Sequence, residues 1–243
     1  MEKKEYYRHV LPHFQQPGQA YFVTWNLKDA VPAKALERYS HQLEMIRAQL
    51  GAANSDSRDK NCDSEIAAPV TRESEFAAPK PEIEKLKQSY YLVRKKYIKA
   101  YDDLLDLDKN PPFDLSRKEI TEIIIGSLQF WEGVKLKNFA FTIMPNHVHW
   151  VFELFKNDKD GNLVYLQDIL QSVKRFSSYH INLEVNRNST LWQKESFDTT
   201  IRDEKHLYYA VRYTLNNPVK ARLAKNWRNW PGSWNGYEGC RDF

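Results

Sequence analysis

The sequence predicts an α+β fold, one antiparallel sheet with helices packed on it. Three observations carry this expectation. Strand-like and helix-like stretches follow in the order β, α, polar insertion, α, β, β, α, β, α, which suits a sheet with helices packed on it. Two strands meet across the tight Pro145-Asn146 connection, the mark of an antiparallel pair. Within the second of these, Val148, Trp150, Phe152 and Leu154 alternate with other residues, so one strand face is wholly apolar and must look into a core.

The elements can be taken in turn. AYFVTWNL at 20–27 is β-rich and follows the turn signal Gln16-Pro17-Gly18, giving a first strand. Residues 33–50 place Leu36, Tyr39, Leu43 and Ile46 on one helical side, with Gly51 expected to stop the helix. The polar stretch 51–81 contains a short echo, SEIAAP at 64–69 and SEFAAP at 74–79. A ten-residue repeat seen twice builds no solenoid, so a flexible insertion is expected. Helical spacing returns over 82–107, as a projecting helix, and again over 116–132. Strands follow over 134–144 and from His147 onward, then an amphipathic helix over 166–185 and a strand over 196–201. Asp203 is an N-cap for a last helix, expected to end at Asn216-Asn217-Pro218 because proline disfavours the helical conformation in its predecessor. The expected organisation is a domain formed by 1–50 and 113–235, an insertion over 51–112 and a tail over 236–243.

Composition narrows the setting. A chain of 243 residues, 42% hydrophobic and 28% charged, can build one domain carrying an insertion. Cys62 and Cys240 sit in a polar stretch and three residues from the end, so neither a disulfide framework nor a cysteine zinc site is expected. The opening residues are charged, and no run of about 18 apolar residues occurs. A cytosolic protein with no membrane partner is the expectation. The net charge of +4 is unevenly spread: residues 163–243 hold 12 basic and 8 acidic residues, and 1–50 hold 7 and 5. Such a surplus at the two ends suits either a gripped polyanion or an ordinary solvated surface.

Two constellations carry chemistry. His147 and His149 share the strand face opposite the apolar one, with Cα atoms roughly 7 Å apart. Their nitrogens can converge on one cation, since imidazole is the commonest side-chain metal ligand; a pair of surface or hydrogen-bonded histidines is the alternative. Two ligands leave a metal site incomplete, so a third must come from elsewhere. In the last helix, Leu207, Ala210, Val211, Thr214 and Leu215 form the apolar stripe. His206, Tyr209, Tyr213 and Asn217 form a second row, turned by roughly 120°. Tyr213 and Asn217 are i, i+4 neighbours there. Either an amide oxygen completes a metal site beside a reactive phenol, or Tyr213 packs at the stripe's edge and Asn217 caps the helix. His9, His13, His41, His180 and His206 lack paired spacing.

Taken together, MPNHVHWV at 144–151, LWQKESFDTTIRDEKHL at 191–207 and YTLNNPVKARL at 213–223 resemble the REP-associated tyrosine transposases. These are similar to the single-tyrosine, IS200-like transposases of the HUH nuclease class. RHVLPHFQQPGQAYFVT at 8–24 resembles the same family's opening segment. The resemblance covers roughly 1–50 and 113–235 and implies a ferredoxin-like sheet with the histidine pair on a central strand. It also implies His147 and His149 as metal ligands, Asn217 as a polar third ligand and Tyr213 as the nucleophile. Arg222 departs from the family, which often has glycine after NPVKA.

What the resemblance implies is chemically coherent. A phenol with a pKa near 10 needs help to attack at neutral pH. A divalent cation, Mg²⁺ or Mn²⁺, held by the three ligands would polarise a scissile phosphate. Attack would leave a 5′-phosphotyrosine and a free 3′-hydroxyl on single-stranded or hairpin DNA. Lys174, Arg175, Arg202, Lys205, Arg212, Lys220 and Arg222 are candidates to track the DNA backbone, with Lys3, Lys4 and Arg8 as an arm; for any one of them taken singly, a solvated surface charge is the simpler reading. Trp227, Trp230 and Trp234 either stack on bases or pack the C-terminal segment onto the domain. The setting implied is the bacterial cytoplasm, at the nucleoid, as monomer or homodimer. Competing expectations are a domesticated, non-catalytic binder of DNA hairpins and a hydrolase whose metal activates water.

Overall fold

A computed structural model describes residues 6–8, 12–14, 16–28, 30–31, 33–55, 81–107, 111 and 113–237. Its strands are β1 (Tyr6–Arg8), β2 (Pro12–Phe14), β3 (Ala20–Asn26), β4 (Leu136–Ile143), β5 (His147–Leu154), β6 (Phe197–Thr200) and β7 (Ser233–Asn235). The α-helices are α1 (Glu37–Ser55), α2 (Pro81–Leu107), α3 (Lys118–Gln129), α4 (Leu166–Glu184) and α5 (Glu204–Lys220). β1 and β2 pair as a small antiparallel hairpin. The other five strands form one antiparallel sheet in the order β6-β3-β5-β4-β7.

The order of elements β3-α3-β4-β5-α4-β6, with the sheet order β6-β3-β5-β4, is the ferredoxin-like βαββαβ arrangement. The expected α+β class is therefore what the chain has. Successive strand residues point to opposite faces, and here both faces are covered. On one, Val23, Trp25, Phe141, Val148, Trp150 and Phe152 pack against Ile120, Ile124 and Leu128 of α3 and Ile169 and Val173 of α4. A bulge between Asn138 and Ala140 lets the Asn138 side chain accept the Trp150 indole N–H at 2.6 Å, which satisfies a buried donor on that face. On the other face a smaller cluster, Ala140, Val151 and Ile201, packs against Ala210, Val211 and Leu215 of α5. The stripe expected along α5 is the one it buries, with Leu207 at its half-buried end.

Several boundaries differ from the sequence reading. Gly51 does not stop α1, which continues to Ser55; glycine costs a helix only about 1 kcal/mol relative to alanine and does not forbid it. Pro218 lies inside α5, which runs on to Lys220. The helix closes past it because the Asn217 carbonyl still accepts from Ala221 N–H at 2.9 Å. The chain divides into two compact units, Met1–Ala30 with Leu105–Phe243, and Val31–Leu104. Residues 33–50, assigned from sequence to the sheet domain, thus fall in the second unit. Inside that second unit, the Arg47 guanidinium donates to the Tyr90 hydroxyl at 2.6 Å and ties α1 to α2. The repeats at 64–69 and 74–79 lie outside the described residues.

β7 has no counterpart in the sequence reading. It arises where the tryptophan-rich segment folds back on the sheet: Trp234 stacks on Phe141 with ring centroids 5.3 Å apart, and Trp230 Nε1–H donates to the Ile143 carbonyl at 2.8 Å. Trp227 packs against the α5-side cluster. Of the two readings offered for these tryptophans, packing of the C-terminal segment is the one the structure adopts.

Candidate active site

His147 and His149 are each 1% exposed, so the pair is not a surface feature. β5 is the central strand, flanked by β3 and β4, and places both imidazoles on the face that α5 covers. Burying two imidazoles requires partners for four ring nitrogens. Asn146 Nδ2 donates to the Leu105 carbonyl at 2.9 Å, which turns Asn146 Oδ1 toward His147. His147 Nδ1–H donates to that oxygen at 2.6 Å, leaving Nε2 with a lone pair. Thr24, opposite His149 in the register of β3 and β5, puts its hydroxyl 2.8 Å from His149 Nδ1. The two Nε2 atoms face each other at 3.0 Å.

Both imidazoles are neutral at ordinary pH. His147 is pushed down from 6.5 to about 3, first by burial and then by the charge of Lys220. His149 is held well below its usual range by burial, then by His147, then by Lys220. A hydroxyl both donates and accepts, so the Thr24–His149 contact tolerates either tautomer. With the His149 proton on Nε2, the pair is bridged by a hydrogen bond. With it on Nδ1, two lone pairs meet at one point, as a cation requires.

α5 supplies the rest. Tyr213, half-buried, meets the edge of His149 with ring centroids 5.4 Å apart and an interplanar angle of 79°. Phe22 wedges beside both, stacked on His149 and edge-on to Tyr213, at 5.7 Å from each. One turn on, Asn217 is 1% exposed, and neither atom of its amide has a hydrogen-bond partner; the hydroxyl of buried Thr214 also lacks one. Asn217 therefore does not spend its amide on capping. An orphaned amide is costly inside a protein, and it is the donor type that a hard divalent cation takes. Among the described residues no group of three or more His, Cys, Asp or Glu side chains is placed to hold a metal. Two imidazole Nε2 atoms, 3.0 Å apart, and the unpartnered Asn217 oxygen are the donor types present on this face.

The basic candidates separate. Arg175, Arg202, Lys205, Arg212 and Arg222 are exposed, and Arg175 lines a groove of about 630 Å³ between α4 and residues 190–196. Lys174 is different: its ammonium donates to the carbonyls of Gln193 and Lys194 and to the Ser196 hydroxyl at 2.9–3.2 Å. Burial lowers it to about 8, and these bonds pin the loop before β6 to α4. Lys220 is paired with Asp106 at 2.7 Å. The Arg8 side chain, Lys3 and Lys4 lie outside the described residues.

Arg222 sits at φ +60°. It follows the C-cap Ala221, with Leu223 N–H donating to the Pro218 carbonyl and Arg222 N–H to the Val219 carbonyl. That double bond pattern is a Schellman closure, whose left-handed position favours glycine. Sequence reading missed Thr24, Asn146 and Phe22 as parts of the site. Asn146 had a signal in standing beside His147; Thr24 becomes visible only once β3 and β5 are paired.

The fold and site together define a ferredoxin-like protein that buries a His-x-His pair against a helix bearing a tyrosine and an unpartnered amide. Among curated proteins the chain is similar to a "Putative REP-associated tyrosine transposase" of Haemophilus influenzae, 30% identical over 109 residues, covering 43% of this chain and 62% of that one. The resemblance drawn from the sequence motifs thus has a curated relative of the same name. An uncharacterized protein of the same organism is 28% identical over 112 residues, covering 37% of this chain and 62% of its own length. The chain spans about 62% of the length of these relatives. A solved structure of a REP-associated tyrosine transposase bound to a REP hairpin aligns with a TM-score of 0.44 and 14% identity, over 95% of this chain and 82% of that one. No family model matches the chain.

Proposed function

We propose that this chain is a metal-dependent transposase that cuts and rejoins single-stranded or hairpin DNA through Tyr213. The carrying observation is the meeting of Tyr213 with His149 at 5.4 Å, over a histidine pair whose Nε2 atoms face each other. His147, His149 and Asn217 would hold the cation, Mg²⁺ or Mn²⁺. When bound, such a cation offsets charge that builds on the phosphate oxygens as the bond is broken.

The chain's own residues account for the remaining steps. Tyr213 Oη attacks phosphorus, an Oη–P bond forms and the P–O3′ bond breaks. The phenol proton leaves to solvent and the departing 3′-oxygen takes one up. The product is a 5′-phosphotyrosine with a free 3′-hydroxyl, and attack by another 3′-hydroxyl reverses the sequence without external energy. Phe22 and the buried flank of α5 keep water from the imidazoles. The exposed cations Arg175, Arg202, Lys205, Arg212 and Arg222 follow the DNA backbone. This reading places the protein at the nucleoid, in the bacterial cytoplasm, as a monomer or homodimer. No described helix is long and apolar enough to cross a membrane.

A fluorescent hairpin oligonucleotide incubated with the chain and Mn²⁺ should become covalently attached, and Tyr213→Phe, which has no hydroxyl to form the ester, should abolish the adduct. An adduct that persists in the phenylalanine variant removes Tyr213 as nucleophile. Nicked DNA with no adduct would instead establish a water-activating hydrolase, and tight binding without cutting a domesticated hairpin binder.

A further inference from the structure

Asn146 touches two things at once. Its Nδ2 donates to the Leu105 carbonyl at 2.9 Å, and its Oδ1 accepts from His147 Nδ1 at 2.6 Å. Leu105 lies within the last turn of α2, where the final four carbonyls have no partner inside the helix. The amide of a residue 41 positions away therefore closes a helix end and, in doing so, can present only its oxygen to the imidazole. Asp106, the next residue of the same helix end, pairs with Lys220 at the last turn of α5. An acidic side chain at a helix C-terminus is unfavourable against the helix dipole, and the Lys220 ammonium offsets it. Both residues belong to the same compact unit as the sheet.

We propose that Asn146 is a positioning residue for the metal-binding histidines: clamped by a carbonyl in the last turn of α2, it fixes His147 as the Nδ1–H tautomer and so aims the Nε2 lone pair at His149. The inference rests on the reading of His147 and His149 as metal ligands. An imidazole free to carry its proton on either nitrogen would present Nε2–H part of the time, and that form cannot bind a cation. Partners that orient a ligating imidazole typically account for about 10–100-fold in metal affinity. Asp106 acts in parallel, holding the last turn of α5, one turn beyond Asn217.

The test uses the full chain, first without metal. Long-range ¹H–¹⁵N correlation of the imidazoles should show His147 as Nδ1–H in the wild type, a mixture of tautomers in Asn146→Ala, and Nδ1–H again in Asn146→Asp. The aspartate is isosteric and keeps the acceptor while losing the bond to Leu105, so it also serves if the alanine variant does not fold. Mn²⁺ is then titrated, with the free ion followed by its electron paramagnetic resonance signal. Asn146→Ala should bind about 10–100-fold more weakly, and Asn146→Asp within a few-fold of wild type. The inference is overturned if Asn146→Ala keeps a single Nδ1–H tautomer and binds Mn²⁺ as the wild type does, or if Asn146→Asp loses that tautomer. If the wild type binds no Mn²⁺ that His147→Ala removes, the metal reading itself fails, and the Asn146 inference with it.

Discussion

The two faces of the sheet solve the same packing problem differently. Beneath α3 and α4, the strands present an almost unbroken apolar layer built on Trp25, Phe141, Trp150 and Phe152. Beneath α5, the same strands bury Thr24, His147 and His149, and the helix adds Thr214 and Asn217. Every polar group buried on the α5 side forgoes hydration, and the amide of Asn217 and the hydroxyl of Thr214 regain nothing for it. The first face holds the domain together. The second gives up some of that cohesion, the kind of local inconsistency that marks it as the candidate site.

Acid should separate the faces most strongly. His147 titrates near 6.5 when unfolded and about 3 when folded, so the unfolded chain binds more protons across that window. Stability should fall as pH is lowered from 6.5 toward 3, since the native state must stay neutral where the unfolded state gains charge. Urea midpoints measured between pH 7 and 4 check this, and His147→Asn should flatten the dependence; a wild-type midpoint that does not move would contradict the burial of the pair. A smaller effect is expected at Lys174→Met, which leaves the carbonyls of Gln193 and Lys194 without their donor. It should destabilise by about 2 kcal/mol in chemical denaturation, with no specific loss of DNA affinity at a fixed salt concentration.

Asn217→Leu sharpens the comparison directly. By removing an amide that has no partner, it should stabilise the metal-free protein by about 1 kcal/mol, read from the thermal midpoint. Mn²⁺ binding should be lost in the same variant. A variant that is destabilised instead would mean that the amide already contributes to the fold. The smallest change is expected at Arg222→Gly, where relief of the φ +60° conformation should add about 0.5–1 kcal/mol.

Much of this contrast was readable in the sequence, because it rests on period-two alternation. His147 and His149 fall opposite Val148 and Trp150 whatever surrounds them, and Asp203 announces the α5 start, its carboxylate accepting from His206 N–H at 2.7 Å. The row of Tyr213 and Asn217 was likewise legible, since helical spacing fixes which residues share a side. What was hidden depends on contacts between distant segments. Lys174 looks like any surface lysine until residues 193–196 fold over it, and Asn146 looks like a turn residue until Leu105 arrives beside it. Three-residue β7 carries no period at all. It exists because Trp230 and Trp234 find Ile143 and Phe141. Pro218 misled for the opposite reason: its preference is local, and the carbonyl of Asn217 still accepts from the Ala221 N–H.

Tyr213 rides on a helix whose neighbouring side chains Ala210, Val211 and Leu215 are sunk in the smaller apolar cluster beneath α5. A nucleic acid strand fastened to that phenol would be moored to a fixed post. Ferrying it elsewhere would mean lifting three apolar side chains into water, so under the proposed chemistry rejoining would be served by bringing the incoming 3′-end to the post.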